Sequence, residues 1–569
     1  MPYIFPKDKS SVLLMVLPFL TPLLPPVGIS CIKSYLERRG FTVNTADGMA
    51  DMELREAMYT YFDSLKEFIP EPKRGHFFNV GLDVLGNHLM AHANRGDEEL
   101  YTDLVKQLVA QNFFVDITTD QTAALATILD TFYLGLERYL IELMERRKPG
   151  LVGLSVYKGT LGPSVFAARL LKERFPDVKV VMGGTIFSQE LFPGSPNFDR
   201  FVSSCPQIDH LFIGESEELF LRFLEGRLPD GDKKTFTLHD VGDRLLDLDT
   251  LEIPDYSDFD VSLYPVLGAF TSRGCVYRCS FCAETLYWKQ YNRKSAKKVA
   301  DDLVALSRRY GKQVFVLTDC LVNPIVNELS SDLADREANL YWDVYLKVDK
   351  QVCDPQLTHL WRRGGFYRAR LGVESGSQRI LDIIKKGITV EQIKQALANL
   401  ADAGIKTTTY WIAGHPGETE ADFQQTLDLL EELRDYIFEA ECDPFRYFFN
   451  GQVNGDSWAR DQGNQSLYPD SMDQLLMAKT YALNAQPDRR EIYRRQCLFR
   501  QHCIRLGIPN PYSVREIVEA DQRWRRLHQN AVPPLLTLNK DGGNNGEVRE
   551  VKQFLPLDKP EPEDVDFCF

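Results

Sequence analysis

The sequence predicts an α/β protein, in which a doubly wound parallel sheet with a helical insertion precedes a partial or full β/α barrel and a helical C-terminal region. Short apolar runs alternate with helical stretches near the start of the chain, an order typical of parallel sheets. The alternation stops over residues of about 49–148, which are helix-like throughout, and then resumes. A second alternation begins near Leu267 at a spacing that suits a β/α barrel.

The first domain is expected to cover residues 1–235. Continuous apolar runs are typical of parallel strands that are buried on both faces, and the β-α-β order implies right-handed crossovers. Strands are predicted at Ser11–Leu17, Phe41–Ala46, Leu151–Val156, Lys179–Met182 and His210–Ile213, and helices at Val27–Arg39, Asp103–Gln111, Thr122–Arg147 and Ser164–Phe175. The run Val12–Leu20 is about half as long as a membrane span, so we interpret it as a strand and expect a cytoplasmic protein.

The second domain is expected at residues 255–470, and a helical region and tail at 471–569. Alternating strands and helices again indicate parallel pairing. Strands are predicted at Leu267–Ser272, Val314–Thr318, Tyr341–Leu346, Ala369–Val373 and Lys406–Ile412, and helices at Ala296–Tyr310, Ser377–Ile384 and Glu420–Leu433.

The amino-acid composition and net charge exclude some classes of protein and disfavour some classes of partner. The 569 residues are 44% hydrophobic and 26% charged, which excludes a disordered chain. A net charge of −15 disfavours nucleic-acid phosphates as partners. The eleven cysteines are odd in number and too sparse for a disulfide scaffold, and three are clustered, which indicates metal binding in a reducing compartment.

That cluster has C-x3-C-x2-C spacing in the loop after the first predicted barrel strand. Cys275, Cys279 and Cys282 therefore lie at the end of the strand where barrel active sites are found. Three thiolates suit a 4Fe–4S cluster with one open iron, which an amino acid's amine and carboxylate can chelate. Two alternatives stay open: a zinc site, which needs a fourth ligand such as Cys320, and three buried structural cysteines.

This motif and its setting resemble the radical S-adenosylmethionine (SAM) superfamily. The resemblance implies that the three cysteines are catalytic metal ligands and that SAM binds the open iron and yields a 5′-deoxyadenosyl radical. Phe281 takes the place of the family's aromatic residue against the adenine. The segment Leu371–Ser377 is similar to the family's Gly-Ile-Glu-Ser-Gly-Ser, which implies that Glu374 and Ser375 face the ribose and methionine, although a solvated carboxylate is the alternative for Glu374.

Other segments are also similar to the cobalamin-dependent branch of that superfamily. Lys385–Thr389 matches one of its motifs, or is a helix stop with a following cap. Gly414–Thr419 is similar to a rim loop in which Gly414 and Pro416 let the backbone approach the adenine. The family's Gly-Gly-Glu is replaced here, and we expect Thr318 and Asp319 to hold the methionine amine, with a plain strand-end turn as the alternative.

The first domain resembles the cobalamin-binding domain that precedes many radical SAM barrels. Its loops follow parallel strands, at the edge where open sheets hold ligands. The residues expected to contact cobalamin are Ser155, Tyr157, Gly183, Gly184, Thr185, Gly214 and Glu215. Because Asp47-Gly48 lacks the histidine of Asp-x-His-x-x-Gly, we expect no axial histidine on cobalt; the alternative is a fold that binds no cobalamin.

The resemblance implies a methyltransferase acting on an unactivated centre of a small metabolite, peptide or carrier-bound intermediate in natural-product biosynthesis. A rearrangement, cyclisation or epimerisation without methyl transfer is the alternative within the enzymes, and a noncatalytic cobalamin or redox sensor is the alternative outside them. The expected partners are an electron donor of flavodoxin or ferredoxin type and the substrate, with no nucleic acid and no membrane.

Overall fold

Two parallel six-stranded sheets organise the chain. The computed structural model describes residues 5, 11–19, 24–228, 234–284, 288, 290–447, 464–510 and 514–529. None of the helices in these ranges combines the length and apolar character that crossing a membrane requires.

The first sheet has the strand order β2-β1-β3-β4-β5-β6. Its strands are β1 (Val12–Val16), β2 (Val43–Asp47), β3 (Leu151–Ser155), β4 (Lys179–Gly183), β5 (His210–Ile213) and β6 (Thr235–Thr237). Five helices accompany them: α1 (Val27–Glu37), α6 (Leu161–Arg174), α7 (Ile186–Gln189), α8 (Pro196–Ser204) and α9 (Glu217–Leu224). Strands β2 and β3 lie on opposite sides of β1, which confirms the predicted doubly wound topology. The edge strand β6 was not predicted, because three residues are too few to show a period.

The insertion between β2 and β3 is helical, as predicted. It consists of α2 (Met52–Phe68), α3 (Phe77–Ala93), α4 (Glu98–Phe113) and α5 (Thr119–Arg147). Its apolar side chains join those of the first sheet in one core. It also contacts the second sheet, because His76 Nε2 accepts a hydrogen bond of 3.1 Å from the Cys442 N–H. Burial lowers the pKa of His76 to about 3, so this imidazole is neutral.

The second sheet has the order β14-β13-β12-β11-β10-β7, which confirms a partial β/α barrel. Its strands are β7 (Leu267–Ala269), β10 (Val314–Leu317), β11 (Tyr341–Leu346), β12 (Phe366–Glu374), β13 (Lys406–Ala413) and β14 (Glu439–Pro444). The helices that follow these strands are α10 (Ala296–Tyr310), α11 (Val326–Asp335), α12 (Pro355–Arg363), α13 (Gln378–Ile383), α14 (Val390–Asp402) and α15 (Glu420–Glu432). A small antiparallel pair, β8 (Ser272–Arg273) and β9 (Asn292–Arg293), flanks the cysteine loop.

The second sheet has one apolar and one polar face. On β11, Trp342, Val344 and Leu346 belong to the core beneath the helices. Asp343 alternates with them, and Arg370 on β12 pairs with its carboxylate at 2.9 Å. Because successive side chains of a strand point to opposite faces, the interior of the partial barrel is lined by charged groups.

The C-terminal region bridges both domains. It contains β15 (Asn464–Ser466), β16 (Tyr481–Leu483), α16 (Asp473–Leu476), α17 (Arg489–Leu506) and α18 (Val514–Leu527). Tyr468 and Leu475 join the core of the first sheet, whereas Phe499 and Cys503 on α17 join the core of the second. The region therefore packs against the insertion and the barrel together.

Candidate active site

The three motif cysteines lie in one loop between β8 and β9. Cys279 is buried, and Cys275 and Cys282 are partly exposed. The Ser280 N–H donates a 2.9 Å hydrogen bond to the Ile384 carbonyl, which ties the loop to the end of α13. Within the described ranges, no three His, Cys, Asp or Glu side chains converge on a single metal ion. Thiols that each bind a different iron of a cluster need not converge in that way.

Two ammonium groups accompany the cysteine loop. Lys386 Nζ lies 5.7 Å from the centroid of the Phe281 ring, and Lys347 Nζ lies 3.7 Å from that of Tyr277. Burial raises the pKa of Cys282 to about 12, so this side chain is a neutral thiol until a metal binds. The two cations complement the negative charge of a thiolate-bound cluster, and the donor set therefore fits such a cluster. The sequence pattern around Lys386 indicated a family motif or a helix stop, and neither lysine carries a local signal for a role at the cluster.

The end of β12 brings Glu374 to the same place. Its carboxylate Oε1 accepts a 2.5 Å hydrogen bond from Lys386 Nζ, and both side chains are buried. Glu374 has φ of 67°, a left-handed conformation that is rare for residues other than glycine and is often found at functional sites. Ser375 is fully buried and its hydroxyl lies 3.2 Å from Thr426 Oγ1. The pair predicted to face SAM thus lies beside the cysteine loop.

Thr318 and Asp319 have partners within the protein. The Thr318 hydroxyl donates to the Ala269 carbonyl at 3.2 Å. The Asp319 carboxylate accepts hydrogen bonds from the N–H of Thr271 at 2.7 Å and from the hydroxyls of Thr271 and Ser272. Burial raises the pKa of Asp319 to about 6. These contacts are those of a strand-end turn, and the predicted contact of the two residues with the methionine amine stays a prediction.

Gly414 and Pro416 lie at the end of β13, where α17 covers the rim. Gly414 has φ of 84°, and a Cβ atom there would lie 2.2 Å from Cγ1 of Ile492 on α17. The glycine therefore permits close helix packing, a constraint that the sequence did not show. Burial lowers the pKa of neighbouring His415 to about 4, which makes its imidazole neutral.

The loops predicted to bind cobalamin meet at one edge of the first sheet, because β3, β4 and β5 are parallel neighbours. Thr185 is exposed there. A Cβ atom at Gly214 would meet only Leu238, at 3.9 Å. Burial raises the pKa of Tyr157, and the neighbouring Ser155 side chain partly offsets that effect. The open space and the exposed hydroxyl leave room for a planar cofactor at this edge.

The glycines after β4 serve the backbone of the protein itself. A Cβ atom at Gly184 would lie 2.4 Å from the Val156 carbonyl oxygen, and one at Gly183 would lie 3.0 Å from that of Phe212. The first distance is shorter than real Cβ contacts. The absence of side chains here is thus required by loop packing, whatever binds outside.

Glu215 contacts the cysteine loop of the second domain. Its carboxylate accepts hydrogen bonds from the Arg273 guanidinium and from the Leu246 N–H, the latter at 2.8 Å. Arg273 also pairs with Glu217. Glu215 is predicted to contact cobalamin, and its pairing with Arg273 could not be predicted, because residues 58 positions apart carry no local signal.

One histidine near the predicted cobalamin edge carries no motif in the sequence. His239 follows β6, and its side chain is 84% exposed, with Nδ1 3.1 Å from Asp243 Oδ2. Its neighbour Leu238 is the residue closest to Gly214. His88 and His92 lie inside the insertion and hydrogen-bond Tyr101, as ordinary interior residues do.

A cavity of about 200 Å³ opens between the two sheets. Lys158 and Glu190 line it from the loops of the first domain, and Gly414 and Pro416 line it from the rim of the second. The insertion adds Asp83 and its neighbours, and the C-terminal region closes the remaining side with side chains that include Tyr468, Tyr481 and Arg489. The cavity thus lies between residues that follow the predicted cobalamin loops in sequence and the rim loop that contains Gly414 and Pro416.

The middle of the chain matches a known family. Residues 270–430 match the Radical SAM superfamily. The chain is 26% identical over 392 residues to the anaerobic magnesium-protoporphyrin IX monomethyl ester cyclase of Rubrivivax gelatinosus, covering 63% of this chain and 64% of that protein. It is 23% identical over 349 residues to the cytidylyl-2-hydroxyethylphosphonate methyltransferase of Streptomyces wedmorensis, covering 52% of this chain and 64% of that one. The chain spans about half to two thirds of the length of the curated relatives it matches.

A solved structure has a similar fold along most of the chain. The radical SAM methyltransferase TsrM from Kitasatospora setae, with cobalamin and a [4Fe-4S] cluster bound, gives a TM-score of 0.57 at 17% identity. The likeness covers 88% of this chain and 89% of that one. At this identity the comparison establishes the fold alone.

Proposed function

Because residues 270–430 form a radical SAM domain within the fold of a cobalamin-binding methyltransferase, we propose that this chain is a cobalamin-dependent radical SAM methyltransferase. The proposed acceptor is an unactivated centre of a small metabolite, a peptide or a carrier-bound intermediate. The proposed electron donor is of flavodoxin or ferredoxin type.

The position of the cavity carries this proposal. The same cavity is lined by Lys158 and Glu190, beside the predicted cobalamin loops, and by Gly414 and Pro416, on the rim that also bears Glu374. We infer that a substrate held there lies between the two cofactor sites, as a transfer between them requires. Ligand sites of this kind commonly lie at domain interfaces.

The residues that would hold the cofactors belong to separate elements. Cys275, Cys279 and Cys282 would hold the cluster, and the loops after β3, β4 and β5 would hold cobalamin. When bound, the cluster with SAM supplies a hydrogen-abstracting radical, and methylcobalamin supplies the methyl group.

The surrounding residues orient and shield these groups. The buried pair of Glu374 and Lys386 presents a fixed carboxylate and ammonium to a ligand beside the cysteine loop. Such a pair needs no reorganisation when a charged ligand arrives. Helix α17 covers the rim at Gly414, where Ile492 packs against the glycine.

The test is product analysis under anaerobic conditions with reductant and SAM. We expect both 5′-deoxyadenosine and S-adenosylhomocysteine, with a gain of one methyl group in the acceptor. Formation of 5′-deoxyadenosine without S-adenosylhomocysteine and without a methyl group added to the acceptor would contradict methyl transfer.

The likeness to the Rubrivivax cyclase favours a second candidate, a ring closure or rearrangement that uses the radical without methyl transfer. It predicts 5′-deoxyadenosine as the nucleoside product of SAM and no S-adenosylhomocysteine. The same assay therefore distinguishes the two candidates.

A further inference from the structure

The charges that line the cavity are mostly neutralised within the protein. Lys158 Nζ lies 3.0 Å from Asp83 and 2.9 Å from Glu190, and Arg446 lies 3.4 Å from Asp83. Lys479 Nζ lies 2.7 Å from Asp470. Although burial alone would raise the pKa of Asp83, Arg446 and Lys158 hold it below its ordinary value. These ion pairs leave little net charge for a ligand to neutralise.

Arg489 is the exception among the cations that line the cavity. Its Nη1 donates to Gln111 Oε1 at 3.3 Å, and in the described part of the chain no carboxylate lies within 4.0 Å of its nitrogens. A guanidinium carries five N–H donors, so most of its donors have no partner within the described protein. Burial lowers the pKa of Arg489, an effect that Tyr468 and Asp83 partly offset.

Local structure does not explain this arginine. Arg489 is the first residue of α17, where the helix dipole disfavours a cation. The helix is capped without it, because the Asp488 carboxylate accepts the Glu491 N–H at 2.8 Å. A half-buried cation that lines a cavity from the first turn of a helix, where the dipole disfavours it, is the arrangement of a residue kept for a ligand.

We propose that the cavity binds its substrate through a carboxylate or phosphate group held by Arg489. The planar fork of a guanidinium matches both oxyanions with paired hydrogen bonds. Tyr468 and Tyr481 line the same cavity and offer apolar surface to the rest of the ligand. At about 200 Å³ the cavity is somewhat larger than one that holds benzene, so a ring-sized group with one anionic substituent fits. This proposal rests on the proposed function, since it assigns the substrate class of the same cavity.

The experiment measures binding of three probes to the anaerobically reconstituted full chain by calorimetry. Benzoate represents a carboxylate, phenyl phosphate represents a phosphate, and benzyl alcohol is the neutral control. The variants are Arg489→Gln and Arg489→Lys. The matched control is Arg494→Gln on the same helix, because Arg494 is exposed and paired with Glu491 and Glu420.

We expect saturable binding of at least one anion, and the tighter-binding anion identifies the group. Arg489→Gln should weaken that binding about tenfold or more, as expected for a charge-assisted hydrogen bond. Arg489→Lys should weaken it less, and Arg494→Gln should leave it unchanged. Benzyl alcohol should bind all variants alike.

Two results would overturn the proposal: no saturable binding of either anion to the wild type, or equal weakening of all three probes by Arg489→Gln. If the Arg489→Gln variant loses iron or unfolds at a lower temperature, the test uses the anion affinity of Arg489→Lys instead. Lysine keeps the positive charge but lacks the paired N–H donors of the guanidinium. Binding is measured without turnover, so the absence of methyl transfer in the product assay would not affect the result of this binding experiment.

Discussion

Arg273, two residues before the first motif cysteine, forms a buried ion pair with Glu215, which follows β5 in the other domain. Its second nitrogen pairs with Glu217 at the start of α9. The side chains of all three residues are at most 10% exposed. The cysteine loop is therefore held in place by the loop that the sequence assigned to cobalamin, and each site influences the position of the other.

Replacement of Arg273 by Met should destabilise the protein and lower its iron content. The change leaves Glu215 and Glu217 as two buried carboxylates without their cation, a loss that typically costs about 3–5 kcal/mol in the free energy of unfolding. Urea denaturation and iron analysis of the reconstituted protein measure the two effects.

Arg278→Met is the control for that change. Arg278 lies in the same loop and is exposed, so its replacement should alter neither quantity. The combined variant with Glu215→Gln and Glu217→Gln should recover much of the stability, because it removes the unpaired charges. Equal stability of Arg273→Met and the wild type would refute a structural role for the ion pair.

Alanine at Cys275, Cys279 or Cys282 should abolish the cluster, since each thiolate is needed to hold about four iron and four sulfide per chain. Cys31→Ala should retain it, because Cys31 is buried in the core of the first sheet. Cys320→Ser should retain it as well, since Cys320 follows β10 and lies outside the three-cysteine motif. Zinc without iron in the wild type would contradict the cluster.

The sequence predicted those elements whose signal is local. Tyr341–Leu346 and Ala296–Tyr310 were predicted with the bounds that the structure has, because each combines a clear period with defined ends. Strand β14 (Glu439–Pro444) was missed, since Glu441 and Asp443 break its apolar pattern on the inner face. Charged side chains that face the barrel interior remove the apolar pattern by which hydropathy identifies a strand.

Those residues of the candidate active site that belong to sequence motifs could be predicted from the sequence. The cysteine spacing and the Glu374–Ser375 segment identified two parts that the structure brings together. The roles of Lys347 and Arg489 depend on contacts across the fold, and neither residue stands in a recognisable local pattern. The packing of Gly414 against Ile492 likewise joins residues 78 positions apart, so the sequence did not reveal it. The expected approach of this loop to the adenine stays a prediction.

Cobalamin should bind one per chain and show a spectrum without a nitrogen ligand on its lower face, because the histidine motif is absent from the sequence. His239→Ala is the sharpest test, since this exposed imidazole lies near the predicted edge. The cobalt spectrum of the variant should equal that of the wild type. A spectral change in His239→Ala alone would identify it as the axial ligand.

The cobalamin edge can also be tested by adding bulk at an exposed position. Thr185→Phe should weaken cobalamin binding while leaving the unfolding temperature unchanged, because Thr185 is exposed. Gly184→Val is unsuitable, since its side chain would collide with the Val156 backbone and disturb the fold. Unaltered affinity in Thr185→Phe would place the cofactor elsewhere.

Stability should fall as pH rises because of Glu441. Burial, with Asp443 nearby, raises the pKa of Glu441 from 4.5 to about 8. Between these values the folded protein binds more protons than the unfolded chain, so the free energy of unfolding decreases with pH. Glu441→Gln should be more stable than the wild type at pH 8.5, by an amount on the order of 1 kcal/mol, and the two should converge near pH 4.5. Denaturant titrations at several pH values test this, with exposed Glu391→Gln as the unchanged control.

The reaction itself should consume SAM in two ways. Substrate, reductant and SAM together should yield 5′-deoxyadenosine and S-adenosylhomocysteine in similar amounts, one from the radical step and one from remethylation of cobalt. We expect both uses of SAM to share one SAM site beside Glu374. Glu374→Gln should therefore depress both products, because it removes the charge that pairs with Lys386 beside the cysteine loop. Glu391→Gln, on the exposed face of α14, should depress neither. If Glu374→Gln instead suppressed 5′-deoxyadenosine and left the yield of S-adenosylhomocysteine unchanged, the two uses of SAM would require separate sites. In that case the expectation that they share the site at Glu374 would be wrong.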